Sequence, residues 1–299
     1  MSEKIKVIWS ENYKKYNFGS RHPFQPLRGR LAFLRRIKQK GYEIIGPERP
    51  ATRAQAELVH TKVYLDSLEK VSQEFTTLET PVTRENVEGA YWYTGGTIKA
   101  VRLASQGTRT FDTLGGLHHA KPWHGEGFCI LSDHGIAVRQ LQKEGVIERA
   151  KILDIDGHAH NGTQEIFYSD PDVLTISIHQ DPDTIYPGEC YPWETGEGEG
   201  KGTNMNLILD PGTTYKEYEP KLEQALEKFE SFYSDVAIVV FGTDTYKKDH
   251  MTQIKLELED YRKIGESLSN IRNLSILSPG GYSEYIPKIW LSFLEGLEK

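Results

Sequence analysis

Short apolar segments that are hydrophobic at consecutive positions most restrict the folds open to this chain. The clearest example is the segment VAIVVF at residues 236–241. Consecutive apolar residues are typical of strands buried on both faces of a parallel sheet, whereas half-exposed strands alternate. Helical patterns lie between these segments, so the order of elements predicts a three-layer α/β fold with right-handed crossovers.

The predicted elements cover most of the chain. We predict strands at residues 6–9, 42–45, 109–111, 150–155, 173–178, 236–241 and 274–277. We predict helices at about 28–39, 51–72, 85–106, 132–145, 216–233, 254–270 and 285–298. Residues 180–205 are rich in glycine and turn residues, which predicts a long functional loop. No repeat or linker interrupts the pattern, so we expect a single domain over residues 1–299.

Charge and cysteine content exclude several classes of protein. The chain has 43 acidic and 36 basic residues and a net charge of −7, which disfavours non-specific binding to nucleic acid. Cys129 and Cys190 are the two cysteines and have no CxxC spacing, so neither a disulfide framework nor a cysteine zinc site is indicated. No signal peptide or segment of ~18 apolar residues is visible, and we therefore expect a cytoplasmic protein without a membrane partner.

Polar side chains follow five of the predicted strands at the point where each strand ends. These residues are Asp112, His118 and His119, Asp156 and His158, His179 and Asp181, Asp244, and Tyr282. A single aspartate in such a place is usually a helix N-cap. Their joint occurrence is hard to produce by capping alone, and ligands of open α/β sheets bind beyond the carboxyl ends of the strands. A functional site is therefore expected at this edge.

Three of these residues form a candidate metal site. Asp156, His158 and Asp244 supply two carboxylates and one imidazole, which suits a divalent ion with an open position for water. If Asp156 and His158 lie on an extended strand end, their side chains point to the same side. The absence of a thiolate favours a catalytic over a structural site.

Several motifs in order along the chain resemble the signatures of histone deacetylases and their prokaryotic relatives, which include the acetoin-utilisation and acetylpolyamine amidohydrolase groups. The motifs are GGLHHA at 115–120, GFC at 127–129, DIDGH at 154–158, NGTQEIFY at 161–168 and GGY at 280–282. The resemblance implies an arginase-like α/β fold around a central parallel sheet of about eight strands. It also implies one zinc ion held by Asp156, His158 and Asp244.

The resemblance extends to the catalytic residues. His118 and His119 match the tandem general base and acid, and Tyr282 matches the residue that polarises the scissile carbonyl. Asp154 would orient His118, and Asn161 would orient His119. Because a carboxylate raises the basicity of one ring and a neutral amide does not, the two histidines should differ in pKa.

Further residues match the substrate tunnel and two cation sites of the family. The tunnel residues would be Gly127, Phe128, Tyr186, Met251 and, on a loose alignment, Glu79. One structural potassium site would involve Asp154, Ser177 and the backbone near His158 and Ile178. A second would use the carbonyls of Phe167, Asp170 and Val173.

Some positions depart from the family pattern. The run His158-Ala159-His160 replaces the usual His-His-Gly, and His160 could crowd the metal loop. Asn161 stands where one class of relatives has aspartate. Met251 occupies the position of the glutamate that selects polyamines in an animal relative, which favours an acyl-lysine substrate.

We therefore expect a zinc-dependent hydrolase that removes an acetyl or related acyl group from an amine, with acyl-lysine preferred and a small acylated amine such as an acylpolyamine as the alternative. A dimanganese ureohydrolase of the same fold is disfavoured, because its extra carboxylates would fall at His160 and Tyr246. A non-catalytic sensor of acylated ligands is the third possibility. The sequence does not indicate an oligomeric state.

Overall fold

The computed structural model describes residues 5–25, 27–71, 75–77 and 79–299. Its strands are β1 (Lys6–Ile8), β2 (Ile44–Ile45), β3 (Phe75–Thr77), β4 (Thr80–Val82), β5 (Thr110–Asp112), β6 (Ala150–Asp154), β7 (Val173–Gln180), β8 (Asn204–Leu209), β9 (Val236–Gly242) and β10 (Leu274–Gly280). Its α-helices are α1 (Arg30–Gln39), α2 (Arg53–Ala56), α3 (Lys62–Glu69), α4 (Arg84–Ser105), α5 (Asp133–Lys143), α6 (Asn161–Phe167), α7 (Tyr215–Ser231), α8 (Leu258–Ser267) and α9 (Ile286–Leu297).

Eight of the strands form one parallel sheet in the order β2-β1-β5-β10-β9-β6-β7-β8. Helix α4 packs on β5, β9 and β10, α7 packs on β6, β7 and β8, and α9 packs against α1 and α8. The predicted three-layer, arginase-like fold with a sheet of about eight parallel strands is confirmed. Within the described ranges, no helix has both the length and the hydrophobicity needed to cross a bilayer.

The register of the sheet brings the ends of five strands to one level. Asp154 pairs with Ser177 on one side and with Val240 on the other. Leu277 pairs with Val240 and with Asp112. These residues form a continuous row across β5, β10, β9, β6 and β7, so the loops that follow them begin side by side.

Several predicted boundaries were wrong. The predicted loop at 180–205 ends in β8, whose Asn204 and Asn206 both donate to the Gln164 side chain. Polar residues that bond to helix α6 made this edge strand look irregular. Helix α6 and the β3–β4 hairpin were also missed.

The predicted helix at 51–72 is two helices, and its predicted end at residue 72 lies outside the described residues. The helical conformation is interrupted before Thr61, whose backbone N–H donates to the Pro122 carbonyl. The Thr61 hydroxyl then caps α3 by accepting from the backbone N–H of Tyr64. This cap explains the new helix start, since a side-chain oxygen satisfies a free N–H of the first turn.

Because the central strands are fully buried, truncating one of their side chains should lower the stability of the protein strongly. Ile238 is inaccessible to solvent in β9, between Ile152 of β6 and Ser275 of β10. Ile238→Ala is expected to lower the free energy of unfolding by about 2–5 kcal/mol, because it leaves a cavity. Urea denaturation measures this loss. Val63→Ala is the control, since Val63 is 81% exposed, and an equal loss there would contradict the prediction.

Candidate active site

A narrow cavity opens at the row of strand ends. Its walls come from the loops that follow β5, β6 and β10, together with residues near the start of the chain. The lining residues are Phe24, Gly116, Leu117, His118, His119, Gly127, Phe128, Cys129, Asp156, His158, Pro279, Gly280, Gly281 and Tyr282. Polar groups predicted from four separate motifs therefore share one cavity.

Asp156, His158 and Asp244 form a buried cluster at this cavity, and their potential ligand atoms all lie within 4.8 Å of one another. His158 Nδ1 lies 3.1 Å from Asp156 Oδ1 and 2.7 Å from Asp244 Oδ2. Although so close, Asp244 Oδ2 is buried without a hydrogen-bond partner. A buried carboxylate oxygen without a hydrogen bond is costly, and an ion bound between the three side chains would satisfy it.

Electrostatics in the cluster also suit a cation. Burial and the neighbouring Asp156 raise the pKa of Asp244 to about 7. Burial opposes a charged His158, but Asp156 and Asp244 outweigh it and raise the pKa of His158 to about 10. Two carboxylates around one imidazole leave an excess of negative charge in a dry site. These residues fit a divalent ion with three protein ligands.

The local backbone differs from the one assumed for the sequence prediction. Strand β6 ends at Asp154, and residues 156–158 form a bend, so strand alternation is not what aligns Asp156 with His158. Instead, the backbone N–H of His158 donates to Asp156 Oδ1, and that of Gly157 donates to Asp244 Oδ1, each at 2.9 Å. A Cβ at residue 157 would lie 2.5 Å from Thr252 Cγ2, so a larger residue would need the Thr252 side chain to move.

The tandem histidines lie beside the cluster with different partners. His118 Nδ1 is 2.7 Å from Asp154 Oδ2, and His119 Nδ1 is 2.7 Å from Asn161 Oδ1. Burial lowers the pKa of His118, but Asp154 outweighs it and the net shift is upward. Burial and the nearby His118 and His158 lower the pKa of His119 well below its ordinary value. The two pKa values thus shift in opposite directions, although the contact with Asn161 by itself raises the pKa of His119.

The Tyr282 ring lies near His158 of the metal cluster, with the two ring centroids 6.4 Å apart. Its backbone N–H donates to Asp249 Oδ2 at 2.8 Å, and its carbonyl accepts a hydrogen bond from Arg28. Burial raises the pKa of the Tyr282 hydroxyl well above its ordinary value, so the group remains a donor. The roles of Asp249 and Arg28 in holding this loop were not predicted.

The aromatic wall of the cavity contains both predicted and unpredicted residues. The Phe128 ring lies 6.2 Å from Tyr282 and stacks on Phe24, which sequence reasoning missed. Gly127 has φ of 54°, and a Cβ there would lie 2.3 Å from His119 Cδ2. The glycine therefore lets the His119 ring pack against the wall.

Tyr186, Glu79 and Met251 are not among the residues that line this cavity. The Tyr186 ring is 5.1 Å from that of His119 and is 41% exposed, which places it at the rim. Burial raises the pKa of Tyr186, and several nearby groups, including Glu126 and Glu79, raise it further. Met251 is half-buried and is not among the lining residues.

The residues of the two predicted potassium sites make protein contacts. Ser177 Oγ lies 2.7 Å from His179 Nδ1, while Asp154 Oδ1 accepts the backbone N–H of Asp156. The Phe167 carbonyl accepts from the backbone N–H of Asp170. Ile178 and Val173 are buried in β7. Both potassium sites stay predictions.

His160 is fully buried, and neither of its ring nitrogens has a hydrogen-bond partner. It precedes α6 and so lies directly beside Asn161 in the chain. We have no physical account of why a histidine occupies this position.

Sequence reasoning also missed Glu126, which lies behind the second histidine. Asn161 Nδ2 donates to Glu126 Oε1, and His124 Nε2 lies 2.8 Å from Glu126 Oε2. Only 4% of Glu126 is exposed. A charged residue between Gly125 and Gly127, directly before the predicted tunnel residue Phe128, was the available signal.

The parallel sheet and the site at its carboxyl edge define a protein with the arginase-like α/β fold. A family model described as the histone deacetylase domain matches residues 22–297. The chain belongs to the histone deacetylase family, as its motifs predicted.

Individual relatives agree with this assignment. A probable deacetylase from Archaeoglobus fulgidus is 32% identical over 93% of this chain and 81% of its own length. Acetylpolyamine amidohydrolase 1 from Pseudomonas aeruginosa is 34% identical over 74% of this chain and 65% of its own length. A crystal structure of a histone deacetylase homologue complexed with SAHA has a TM-score of 0.85 and 28% identity, covering 99% of this chain and 85% of that one.

Proposed function

We propose that this protein is a zinc-dependent amide hydrolase that removes an acetyl or related acyl group from an amine, with acyl-lysine as the preferred substrate. The observation that carries the proposal is the buried Asp156–His158–Asp244 cluster next to two histidines with different partners. Asp244 Oδ2, which has no hydrogen-bond partner, supports an ion at this cluster. Three protein ligands leave a position open for water and substrate, as in catalytic zinc sites.

The chain's own residues supply the proton transfers. When bound, zinc provides Lewis acidity and lowers the pKa of water from ~15.7 to about 7. One of His118 and His119 takes a proton from the attacking water, and one returns a proton to the leaving amine. Tyr282, which keeps its proton, donates its hydroxyl to the oxygen that becomes negative as water adds to the acyl carbon.

Two observations bear on the substrate. Met251, in place of a glutamate that would bind a polyamine cation, favours the neutral stem of an acyl-lysine. The rim around Tyr186 carries carboxylates, among them Glu79 and Glu189, which would accept a cationic amine. Because a relative at 34% identity is named an acetylpolyamine amidohydrolase, small acylated amines are the second candidate substrates.

The test measures hydrolysis of acylated amines by protein whose zinc content has been determined. We expect release of acetate from an acetyl-lysine peptide, and faster release than from an acetylated polyamine. Faster polyamine hydrolysis would identify the second candidate instead. If zinc-loaded protein binds these compounds and hydrolyses none of them, the chain is a sensor of acylated ligands and the proposed enzyme function is wrong.

A further inference from the structure

Glu126 occupies an unusual place for a carboxylate, since it is buried and connects to a catalytic histidine through Asn161. Asn161 lies between the two, with Oδ1 2.7 Å from His119 Nδ1 and Nδ2 2.5 Å from Glu126 Oε1. These contacts connect His119, Asn161 and Glu126 in one hydrogen-bonded chain. It leads from the cavity to the loop that contains His124.

Two further side chains, His124 and Lys121, lie close to the Glu126 carboxylate. His124 Nε2 lies 2.8 Å from Glu126 Oε2, and Lys121 Nζ lies 3.8 Å from Oε1. Lys121 also pairs with Glu189 at 2.9 Å. Burial opposes a charged Lys121, but Glu189 and Glu126 outweigh it and raise its pKa. The Glu126 carboxylate thus lies among the side chains of His124, Lys121 and Asn161, and the Asn161 contact is the one that leads to the cavity.

An ionised carboxylate accepts hydrogen bonds and cannot donate them, whereas an asparagine amide has one end of each kind. Glu126 therefore requires Asn161 to turn its NH2 group away from His119. The Asn161 carbonyl oxygen then faces His119 Nδ1, which must carry the proton. His119 Nε2, on the other side of the ring, is left as the unprotonated nitrogen.

We propose that Glu126 is a positioning residue that fixes the Asn161 amide and thereby holds the His119 proton on Nδ1. An aspartate at position 161 would do this by itself, since it has no donor. With asparagine at position 161, the carboxylate is that of Glu126, which acts on His119 through the Asn161 amide. The inference rests on the proposed function for its effect on turnover, but the proton position is a property of the resting protein.

The test is Glu126→Gln, which keeps the shape and gives the side chain a donor. The Asn161 amide can then turn its NH2 group towards His119, so His119 should become a mixture of its two tautomers. Nitrogen-15 NMR of histidine-labelled protein measures this directly, with the His119 signals assigned by their loss in His119→Gln. We also expect kcat to fall by about 10-fold or more with little change in KM, as for other changes behind a catalytic-site residue.

Two further variants separate positioning from a general structural effect. In Glu126→Gln combined with Asn161→Asp, the new carboxylate accepts from both His119 and the glutamine amide. The single Nδ1–H tautomer and most of kcat should therefore return. Glu165→Gln is the matched control, because it removes an exposed carboxylate that also acts on Lys121, and it should change neither the His119 spectrum nor kcat.

An unchanged His119 spectrum in Glu126→Gln overturns the proposal, whatever happens to kcat. A mixed spectrum that the double variant does not restore also overturns it. If the wild type hydrolyses no acylated amine, the proposed function fails. The NMR signals of the wild type and Glu126→Gln still decide whether Glu126 holds the proton.

Discussion

Asp244→Asn should lower zinc affinity by more than about 100-fold and abolish measurable turnover. Changes to groups that merely support a metal ligand already cost about 10–100-fold in affinity or activity, and Asp244 is a candidate ligand itself. Asparagine keeps the oxygen that accepts the Gly157 N–H, so the bend at 156–158 should survive. Elemental analysis after dialysis and calorimetric zinc titration measure the loss.

Asp210→Asn is the matched control for this experiment, because Asp210 is exposed beyond the end of β8. It should bind one zinc per chain and turn over like the wild type. A variant at Asp244 that keeps full zinc and activity would show that the ion is held elsewhere. Two manganese ions per wild-type chain would instead support a ureohydrolase-type centre.

Tyr282→Phe should lower kcat by about 10²–10³ while zinc remains bound. This is the usual cost of losing one hydrogen-bond donor to a developing oxyanion. Phenylalanine keeps the ring that packs near Phe128 and the backbone N–H that donates to Asp249. Steady-state kinetics with an acetyl-lysine peptide, alongside zinc content, measure the effect.

Tyr285→Phe controls for the loss of a tyrosine hydroxyl close by. The Tyr285 hydroxyl accepts from Lys248 Nζ at 3.1 Å in an exposed contact. Its removal should leave kcat within about twofold, since surface contacts of this kind contribute little. Near-normal turnover in Tyr282→Phe would refute the oxyanion role. A loss of zinc from that variant would point instead to a disturbed metal loop.

The elements that were predicted well are those whose burial is encoded locally. Strands β6, β7, β9 and β10 were recognised by their short β-rich apolar runs, and β9 is apolar on both faces, as expected for a parallel sheet covered by helices. Strand β8 was missed because Asn204 and Asn206 bond to Gln164, a contact that the local pattern does not contain.

For the candidate site, the sequence alone determined which side chains follow the strands, and parallel pairing placed them at one edge. The ligand types, the histidine pair and the family all came from that order. Only the tertiary structure decided which residues support these side chains through hydrogen bonds. Glu126 meets Asn161 across 35 residues of sequence, and Asp249 holds Tyr282 across 33. Such contacts depend on how loops pack in three dimensions, because no helix or strand period relates residues that far apart.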